Sequence, residues 1–458
     1  MLGSGVGEAG ALADVTRLRL RGGTVLRILV LSQHWYPEDG VPQRRWTWLC
    51  EILQEQGHDV LVIAPPPNYL RKISKRDWVA HRGFAPALTP ETGAAGETVL
   101  RSGYFPTGSS ISAKILSQAY AAVSMLWILT RRPRSLRVFD PELVIGTVPA
   151  LPVAAVTQYA GKRLGIPYAI DLRDAWPDLL KDSDQWNSAV GKKSLFERVM
   201  RFGPLQVLKT VASVCVNTSL RGASKIFVTS EFLGEELERR YLDKAVGRDI
   251  FTVRNVFPVR TALSPRKSEL DGTRSLRVLY AGTLGRAQDL DNALQAAHIA
   301  QQSGTHVTLR FVGIGVARQA LEARARELGV DATFESRKPS DSLDDYYAWA
   351  DTALVHLADW EPLTRTVPSK TYELMASQIF ITGVVEGETE GLIEELGAGA
   401  VVPPRAPERL AQLWMDMAQG CVPLRVAPAA AAWIDQERTV VVPQTLRSAL
   451  PARPIGKK

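Results

Sequence analysis

The sequence predicts an α/β protein built from two doubly wound domains that face a central cleft. Three observations support this prediction. The chain has 458 residues, which is too long for one ordinary core. Short β-rich apolar runs alternate with helical patterns, and this alternation is interrupted by a Pro- and charge-rich stretch before it starts again. In a pair of such domains, ligands bind at the carboxyl ends of the strands.

The first half of the chain opens with a βαβ unit, which makes a parallel sheet wound in the right-handed sense. Residues 65–110 are rich in Pro, Gly and Arg and are predicted to form loops. Ser230 is placed to cap the helix that follows it. The predicted strands are 27–32, 59–64, 141–146, 167–172 and 225–229, and the predicted helices are 41–56, 150–164 and 231–241.

The second half repeats the alternation after the interruption. Its predicted strands are 276–280, 307–312, 352–357 and 380–385, with helices at 290–302, 317–328, 344–349, 368–376, 391–396 and 407–419. A final helix near 429–447 is expected to cross back to the first domain. The predicted divisions are a disordered tail (1–24), an N-terminal domain (25–256), a linker (257–273), a C-terminal domain (274–428) and a crossing helix with a tail (429–458).

Composition excludes several classes of protein. Apolar residues make up 45% of the chain and charged residues 22%, as in ordinary globular proteins. The three cysteines have no paired spacing, which argues against a zinc site or a disulfide framework and fits a reducing cytoplasm. The longest apolar stretch, 119–130, would span about 18 Å as a helix, short of the roughly 30 Å of a bilayer. We therefore expect a cytoplasmic protein without a transmembrane helix.

Charge is distributed unevenly along the chain. Residues 1–250 carry 32 Lys and Arg against 24 Asp and Glu, a net charge of +8, whereas residues 251–458 carry 23 against 24, a net charge of −1. This split predicts that the first domain docks on the anionic inner membrane face. The alternative is a buried apolar helix and a solvated basic loop. The expected contacts are Arg71, Lys72, Lys75, Arg76, Trp78 and Trp48, with an apolar helix at 115–130 flanked by Lys114 and Arg131.

Two glycine-containing turns follow strands of the second domain. Gly282 and Gly285 precede Arg286 near a predicted helix start, where backbone N–H groups and the guanidinium can hold a diphosphate. Gly313 and Gly315 occur one unit later and would let the backbone approach a ligand. A third glycine at the required place is missing, so the pattern is not a dinucleotide fingerprint.

A stronger signal lies at the start of the helix predicted at 368–376. Thr366 or Ser369 can hydrogen-bond an oxyanion, and Lys370 adds a positive charge to the first turn. Glu373 lies on the same helix face and can accept two bonds from a ribose diol. Arg365 and Lys370 crowd a helix N-terminus, where the dipole disfavours cations, and a bound anion would remove that conflict.

Polar residues also follow two strands of the first domain. The segment that contains Glu38, Gly40 and Arg45 leaves the first strand and opens a helix, so these residues are predicted on the acceptor side of the cleft mouth. Arg173 and Asp174 follow a later strand beside a Trp and a Pro, a combination that favours a site over a solvated face.

Together these motifs resemble glycosyltransferase family 4, which has the GT-B fold of two Rossmann-like domains. The resemblance runs from about residue 27 to residue 404 and is strongest to the branch that builds exopolysaccharide and O-antigen repeats, including fucosamine and N-acetylhexosamine transferases. The segments that carry it are Ser32-Gln33 with Pro37-Glu38, Gly57-His58-Asp59-Val60, Pro65-Pro66-Pro67-Asn68-Tyr69, Arg173-Asp174-Ala175-Trp176-Pro177, Tyr280-Ala281-Gly282-Thr283-Leu284-Gly285, Pro368-Ser369-Lys370, Glu373-Leu374-Met375-Ala376 and 397–403.

The resemblance implies an anomer-retaining transfer from a nucleoside diphosphate sugar, expected to be a UDP-sugar, without a tightly bound cofactor or metal. The first domain would bind a polyprenyl-linked or glycan acceptor and the second the nucleotide sugar, and nucleic acid is not an expected partner. Glu373 would match the family's ribose-binding glutamate, and Arg286 the cation that neutralises the leaving diphosphate. Asp174 is a second-choice catalytic base.

The sequence departs from the family pattern at four places. The usual Lys after the Arg286 position is missing, Arg365 replaces the first acid of a Glu-x7-Glu pair, and Arg173 replaces a histidine. Gln378-Ile379-Phe380 replaces the usual Gly-Lys-Pro. Lys370 is therefore expected to supply the missing cation. Two alternatives stay open: a non-hydrolysing UDP-sugar epimerase and a catalytically inactive GT-B subunit that binds a partner transferase.

Overall fold

The computed structural model describes residues 26–38, 40–67, 73–106, 111–180, 204–241, 249–259, 274–339 and 342–450. Two sheets, each flanked by helices, confirm the predicted α/β class with two doubly wound units. The strands Leu143–Val148, Tyr168–Leu172, Thr352–His356 and Ile381–Val384 are buried along their whole length, because helices cover both faces of a parallel sheet.

The N-terminal sheet has the strand order β3-β4-β2-β1-β5-β6-β7-β8, and every pair is parallel except β3 with β4. Its strands are β1 (Arg27–Leu31), β2 (Asp59–Ala64), β3 (Ala87–Thr92), β4 (Thr98–Arg101), β5 (Leu143–Val148), β6 (Tyr168–Leu172), β7 (Lys225–Val228) and β8 (Asp249–Thr252). Its helices are α1 (Val41–Glu55), α2 (Lys75–Ala80), α3 (Ile111–Arg131), α4 (Arg134–Phe139), α5 (Pro152–Leu164), α6 (Pro204–Gly222) and α7 (Glu231–Tyr241).

The C-terminal sheet has the order β11-β10-β9-β12-β13-β14, and all its pairs are parallel. Its strands are β9 (Ser275–Ala281), β10 (His306–Val312), β11 (Ala332–Glu335), β12 (Thr352–His356), β13 (Ile381–Val384) and β14 (Gly399–Val402). The helices are α8 (Asp291–Gln302), α9 (Arg318–Leu328), α10 (Asp344–Trp349), α11 (Ser369–Ala376), α12 (Glu388–Glu395), α13 (Pro407–Ala418), α14 (Pro428–Gln436) and α15 (Val442–Ala449), with 3-10 turns at Arg286–Gln288 and Glu361–Arg365.

The predictions missed the 19-residue helix α6, several short elements and the length of one other helix. The segment expected to be loops contains α2, β3 and β4, and strands β8, β11 and β14 have only four residues each. Four residues are too few to show a sequence period, and these strands form because a neighbouring strand supplies hydrogen bonds. The apolar helix expected from 12 residues runs over 21, Ile111–Arg131. Among the described residues it alone is long and apolar enough to cross a membrane, by length and composition only.

The last helices of the chain pack against the N-terminal sheet. A π-helical turn, Glu437–Val441, joins α14 to α15 where one continuous helix was predicted. Gln56 Nε2 donates a hydrogen bond to the carbonyl of Pro443 at 2.8 Å, and Arg438 Nε donates to the carbonyl of Val256 at 2.7 Å. These hydrogen bonds hold the C-terminal helices on the N-terminal domain and so help to fix the relative position of the two sheets.

A buried cluster around Arg365 joins the two halves of the molecule directly. The hydroxyl of Ser230, which caps α7, donates to the Arg365 carbonyl at 2.5 Å. The Arg365 guanidinium lies 3.5 Å from Asp178 and 3.7 Å from Glu236, both in the N-terminal half, and 2.6 Å from Glu361. Arg365 therefore connects the domains, because acidic residues of both halves compensate its charge.

A second set of ion pairs lies beside the first. Arg254, at the end of the N-terminal sheet, pairs with Glu388 at the start of α12 and with Glu231 at 2.9 Å. Glu388 also accepts the backbone N–H of Phe232 at 2.8 Å. Arg254 and Glu388 are both buried, so removing Arg254 would leave the Glu388 carboxylate without its ion-pair partner in the interface.

The buried histidine at the end of β12 makes the stability of the fold depend on pH. His356 is 2% exposed, and burial lowers its pKa to about 3 despite hydrogen bonds with backbone groups at Leu357 and Gln288. An unfolded histidine titrates near pH 6.5, so below that pH the unfolded chain binds a proton that the native state excludes. The favourable contribution is complete above about pH 6.5 and is lost as the pH falls.

In wild type the free energy of unfolding falls as the pH is lowered. We expect His356→Asn to reduce the slope of that fall by up to about 1.4 kcal/mol per pH unit between pH 4.5 and 6. Urea unfolding of wild type and variant across this range measures the difference in their free energies of unfolding. This difference excludes the contribution of carboxylates, because they titrate alike in both proteins. Parallel curves for the two proteins would show that His356 is not held neutral.

Candidate active site

A cleft of about 900 Å³ lies between the carboxyl ends of the two sheets. Its C-terminal wall consists of the loops after β9, β10 and β11 and the start of α11. Its N-terminal wall consists of the loop after β1, the first turn of α1 and the first turns of α3. The lining residues include Gln33, His34, Gly40, Gln43, Arg44, Lys114, Ser117, Gln118, Phe257, Gly282, Thr283, Gly313, Arg337, Lys338, Ser369, Lys370 and Glu373.

The glycines after β9 and β10 bring two backbone loops together. A Cβ at Gly313 would lie 1.8 Å from the Gly282 carbonyl oxygen, and one at Gly315 would lie 2.0 Å from that of Leu284. Gly282 and Leu284 in turn donate their N–H groups to Val312 and Ile314 at 3.0 Å each. Gly313 lines the cleft and Gly315 does not, and the lack of a side chain at both positions lets the two loops pack closely.

The first turn of α11 places Ser369, Lys370 and Glu373 on the cleft wall. The helix begins at Ser369, so Pro368 precedes its first residue. Lys370 Nζ lies 2.7 Å from Glu373 Oε2 and 5.6 Å from the centre of the Tyr347 ring. Burial disfavours the charged ammonium, but Tyr347 and Glu373 outweigh burial and raise the pKa of Lys370. Lys370 therefore stays protonated in the partly buried wall.

Four predicted donor residues, with Gly315 among them, lie next to the wall without lining it. Gly285 lies two residues beyond the lining residue Thr283. It directly precedes the 3-10 turn that starts with Arg286. Thr366 lies behind α11, where its carbonyl accepts a hydrogen bond from Thr389 at 2.9 Å. The structure thus gathers Gly282, Gly313, Ser369, Lys370 and Glu373 on one wall and places Gly285, Gly315, Arg286 and Thr366 around them.

The N-terminal wall contains one of the three predicted acceptor-side residues. Gly40 lines the cleft at the start of α1. Glu38 is buried and accepts a hydrogen bond from Gln43 at 3.3 Å, so Gln43 and not Glu38 faces the cleft. Arg45 is fully buried, 2.8 Å from Asp171 and 2.8 Å from the Val253 carbonyl. Its place is the domain core, because on α1 it points to the sheet while Arg44 points to the cleft.

Arg173 and Asp174 lie beneath the N-terminal wall, close to His34. Burial, and secondarily the charge of Arg45, lower the pKa of Arg173 to about 10. Burial raises the pKa of Asp174, although Arg173 opposes that rise. Burial together with Arg173 lowers the pKa of His34 to about 4, so the cleft presents a neutral imidazole at physiological pH. Arg173 and Asp174 are thus brought together with the site but do not line it.

Positive charge dominates the described lining of the cleft. Five lining residues are cationic and one, Glu373, is acidic. The pattern suits an anionic ligand, because opposed cations in a concave site concentrate the field. Sequence reasoning placed Arg44 at the cleft mouth with its segment but missed three other cations, Lys114, Arg337 and Lys338. Lys114 begins an apolar helix, and Arg337 and Lys338 follow the short strand β11.

Comparisons with known proteins agree with this architecture. The family described as Glycosyl transferase 4-like domain matches residues 40–248, and the family described as Glycosyl transferases group 1 matches residues 275–419. The chain belongs to glycosyltransferase family 4 and has the GT-B fold. The first region contains strands β2 to β7 of the N-terminal sheet and the second contains all six strands of the C-terminal sheet, so this glycosyltransferase carries both halves of the family's architecture.

One curated relative and several solved structures are similar over nearly the whole chain. The relative, a glycosyl transferase named for colanic acid biosynthesis (WcaI of Escherichia coli K12), is 24% identical over 396 residues, covering 84% of this chain and 90% of that protein. Sucrose-phosphate synthase from Thermosynechococcus elongatus superposes with a TM-score of 0.64 at 14% identity, covering 93% and 100% of the two chains. Anabaena HepE, solved with UDP and glucose, gives 0.56 at 16% identity with coverage of 93% and 100%.

We predict that replacing the two adjacent arginines of α1 destabilises the protein to very different extents. Arg45→Ala should destabilise the protein by about 3–5 kcal/mol, because it leaves the Asp171 carboxylate buried without its ion-pair partner. Arg44→Ala should cost less than about 1 kcal/mol, because Arg44 only donates to the Pro258 carbonyl at the surface and stacks on Phe257. Urea unfolding of the matched pair measures this. Equal stabilities would contradict the placement of Arg45 in the core.

Proposed function

We propose that this glycosyltransferase moves a sugar, with retention of anomeric configuration, from a UDP-sugar to a lipid-linked or glycan acceptor in cell-envelope polysaccharide synthesis. The observation that carries the proposal is the cationic cleft in which the Lys370–Glu373 pair faces the loops after β9 and β10. The names of two relatives add support, since WcaI is named for colanic acid biosynthesis and HepE was solved with UDP and glucose.

The C-terminal wall is assigned to the nucleotide. Glu373 would accept hydrogen bonds from the two ribose hydroxyls. The ammonium group of Lys370 would then exchange its ion pair with Glu373 for one with the diphosphate. The N–H groups at the start of α11 and the Ser369 hydroxyl supply further donors to that anion. Arg286, with Gly285, Gly315 and Thr366 around it, is the second candidate cation, because its turn directly follows the lining residues Gly282 and Thr283.

The reaction requires charge stabilisation above all. As the bond between the sugar and the phosphate oxygen breaks, negative charge grows on the leaving diphosphate, where fixed cations and N–H groups lower the barrier. The leaving phosphate oxygen takes the proton of the acceptor hydroxyl. The acceptor oxygen then bonds to the anomeric carbon on the face that the phosphate leaves. Asp174, whose pKa is raised by burial, is the second candidate for that proton, with Arg173 beside it.

The N-terminal wall is assigned to the acceptor. It presents the neutral His34 ring, the Gly40 backbone, and the cations Arg44 and Lys114 across the cleft from Lys370. Neutral hydrogen-bonding groups suit sugar hydroxyls, and the two cations suit an acceptor that itself carries phosphate. Binding of both substrates would place the anomeric carbon between these walls.

Donor binding is tested by measuring the shift in unfolding temperature with UDP, UDP-sugars and GDP-sugars. A ligand at 100 times its dissociation constant stabilises the native state by about 2.7 kcal/mol. UDP-sugars should stabilise the protein, and slow donor hydrolysis or acceptor-dependent UDP release should follow. Interconversion of the sugar without an acceptor would identify an epimerase instead, and absence of nucleotide binding would identify an inactive subunit.

Substitutions at the start of α11 should separate catalysis from donor binding. Lys370→Ala should lower kcat by about 100-fold or more, because it removes charge stabilisation that grows in the transition state. Glu373→Gln should mainly raise the donor KM, because ribose is held alike in the ground and transition states. Arg326→Ala, on the exposed face of α9, is the control. Wild-type kinetics in both cleft variants would rule out this donor site.

A further inference from the structure

One face of the N-terminal domain combines two properties that helices of a soluble protein seldom share. The three long helices α3, α5 and α6 lie side by side there, joined by the hydrogen bond between the Thr130 and Tyr159 hydroxyls and by that from Gln158 to the Thr218 carbonyl. With the short helix α4, which follows α3, they contain eight Lys and Arg and no Asp or Glu.

The helix dipole explains only part of this charge pattern. Cations in the last turns, such as Arg131 of α3 and Arg221 of α6, are favoured there by the dipole. The same dipole favours acids in the first turns, yet the first turns of all four helices lack them. Acids reappear in α7, the next helix along this layer, where Glu236 pairs with Arg365 of the C-terminal domain. Acids are thus absent from the four helices of this face, although the next helix of the layer carries them.

Apolar side chains on the same face are exposed. On α3, Leu116, Val123 and Trp127 project outward at helical spacing, and Val123 is 65% exposed, whereas Met125 and Ile128 on the opposite side of the helix are fully buried. On α6 the exposed residues are Val207, Val211 and Val214. Trp127 also lies 5.7 Å from the Arg131 guanidinium, which combines an apolar ring and a cation at one point of the surface.

We propose that this face, formed by α3, α4, α5 and α6, docks on a membrane surface that contains anionic lipids. Exposed apolar residues among cations are the combination that inserts into the interface between headgroups and acyl chains, where Trp is also favoured. Nucleic acid would use the cations but gains nothing from the exposed valines. Since α3 is packed on the domain through a fully buried side, it lies along the membrane and does not cross it.

The inferred surface keeps the apolar helix expected from the sequence, which is α3, but neither of the two tryptophans expected with it. Trp48 is buried in the core, and Trp78 donates its indole N–H to the Tyr104 carbonyl at 2.6 Å within an aromatic cluster, so neither is a membrane anchor. Arg71 and Lys72 lie outside the described residues. Trp127 on α3 takes the place of both tryptophans in the proposal.

The position of α3 links docking to the cleft. Its first turns carry the lining residues Lys114 and Ser117, while its later turns carry the exposed apolar stripe. A domain docked through this face would hold one wall of the cleft near the headgroups, where a lipid-linked acceptor presents its phosphate. This link rests on the proposed function, whereas docking itself does not.

Vesicle flotation tests docking without donor or turnover, so its outcome is independent of the transfer reaction. Wild type should float with vesicles that contain phosphatidylglycerol, should be released by 0.5 M salt (about a 4 Å screening length) and should float poorly with phosphatidylcholine alone. Val123→Glu with Trp127→Glu should lower the bound-to-free ratio by about tenfold or more and leave UDP affinity within about twofold. Val316→Glu with Val440→Glu, an equal change of charge at exposed apolar sites of the C-terminal half, is the matched control.

A second pair of changes, Arg131→Glu with Arg134→Glu, tests the charge separately and covers the case in which the first variant folds poorly. Docking is refuted if wild type does not float with anionic vesicles at low salt, or if both variants float as well as the control. It is also refuted if the wild-type chain alone sediments as a dimer that the variants lose, because a second copy would then cover this face.

Discussion

The geometry of the site depends on how two separate sheets are held with their carboxyl edges facing each other. Two sets of contacts provide this constraint: the C-terminal helices that return to the first domain, and the buried ion pairs centred on Arg365 and Arg254. Charged pairs contribute little when they are exposed, but a buried arginine must find its partners at particular positions. Such contacts therefore select one arrangement of the domains more than they add to overall stability.

The arginine at position 365 illustrates how a departure from a family pattern acquires meaning from its surroundings. The family pattern to which the sequence was compared implies a carboxylate at this position. The absence of that carboxylate, taken alone, is compatible with an inactive protein. In the structure the Arg365 side chain points away from the cleft toward Asp178 and Glu236. On the C-terminal wall the cations that line the cleft come from α11 and from the loop after β11, so this wall keeps its positive character.

Electrostatics organise the molecule at two scales. Within the cleft, Lys370 is held beside Glu373 and Tyr347, which keeps it charged despite partial burial. Across the N-terminal domain, the helices on one face exclude acids while α7, at the contact with the second domain, is rich in them. Helix α3 belongs to both scales, because it lines the cleft with its first turns and forms the exposed face with the rest.

The sequence by itself determined the fold class, most of the longer strands and helices, and the turn at the start of α11, because each of these is encoded by local periodicity or by a local motif. The 19-residue helix α6 is the exception. Only the tertiary structure decided which of two adjacent arginines, Arg44 and Arg45, faces the cleft, since a shift of one residue on a helix turns a side chain by about 100°. It also decided that Gly315 packs loop on loop, and that the cations after β11 reach the cleft. These outcomes depend on strand pairing and domain contacts between residues far apart in the chain, which no local pattern records.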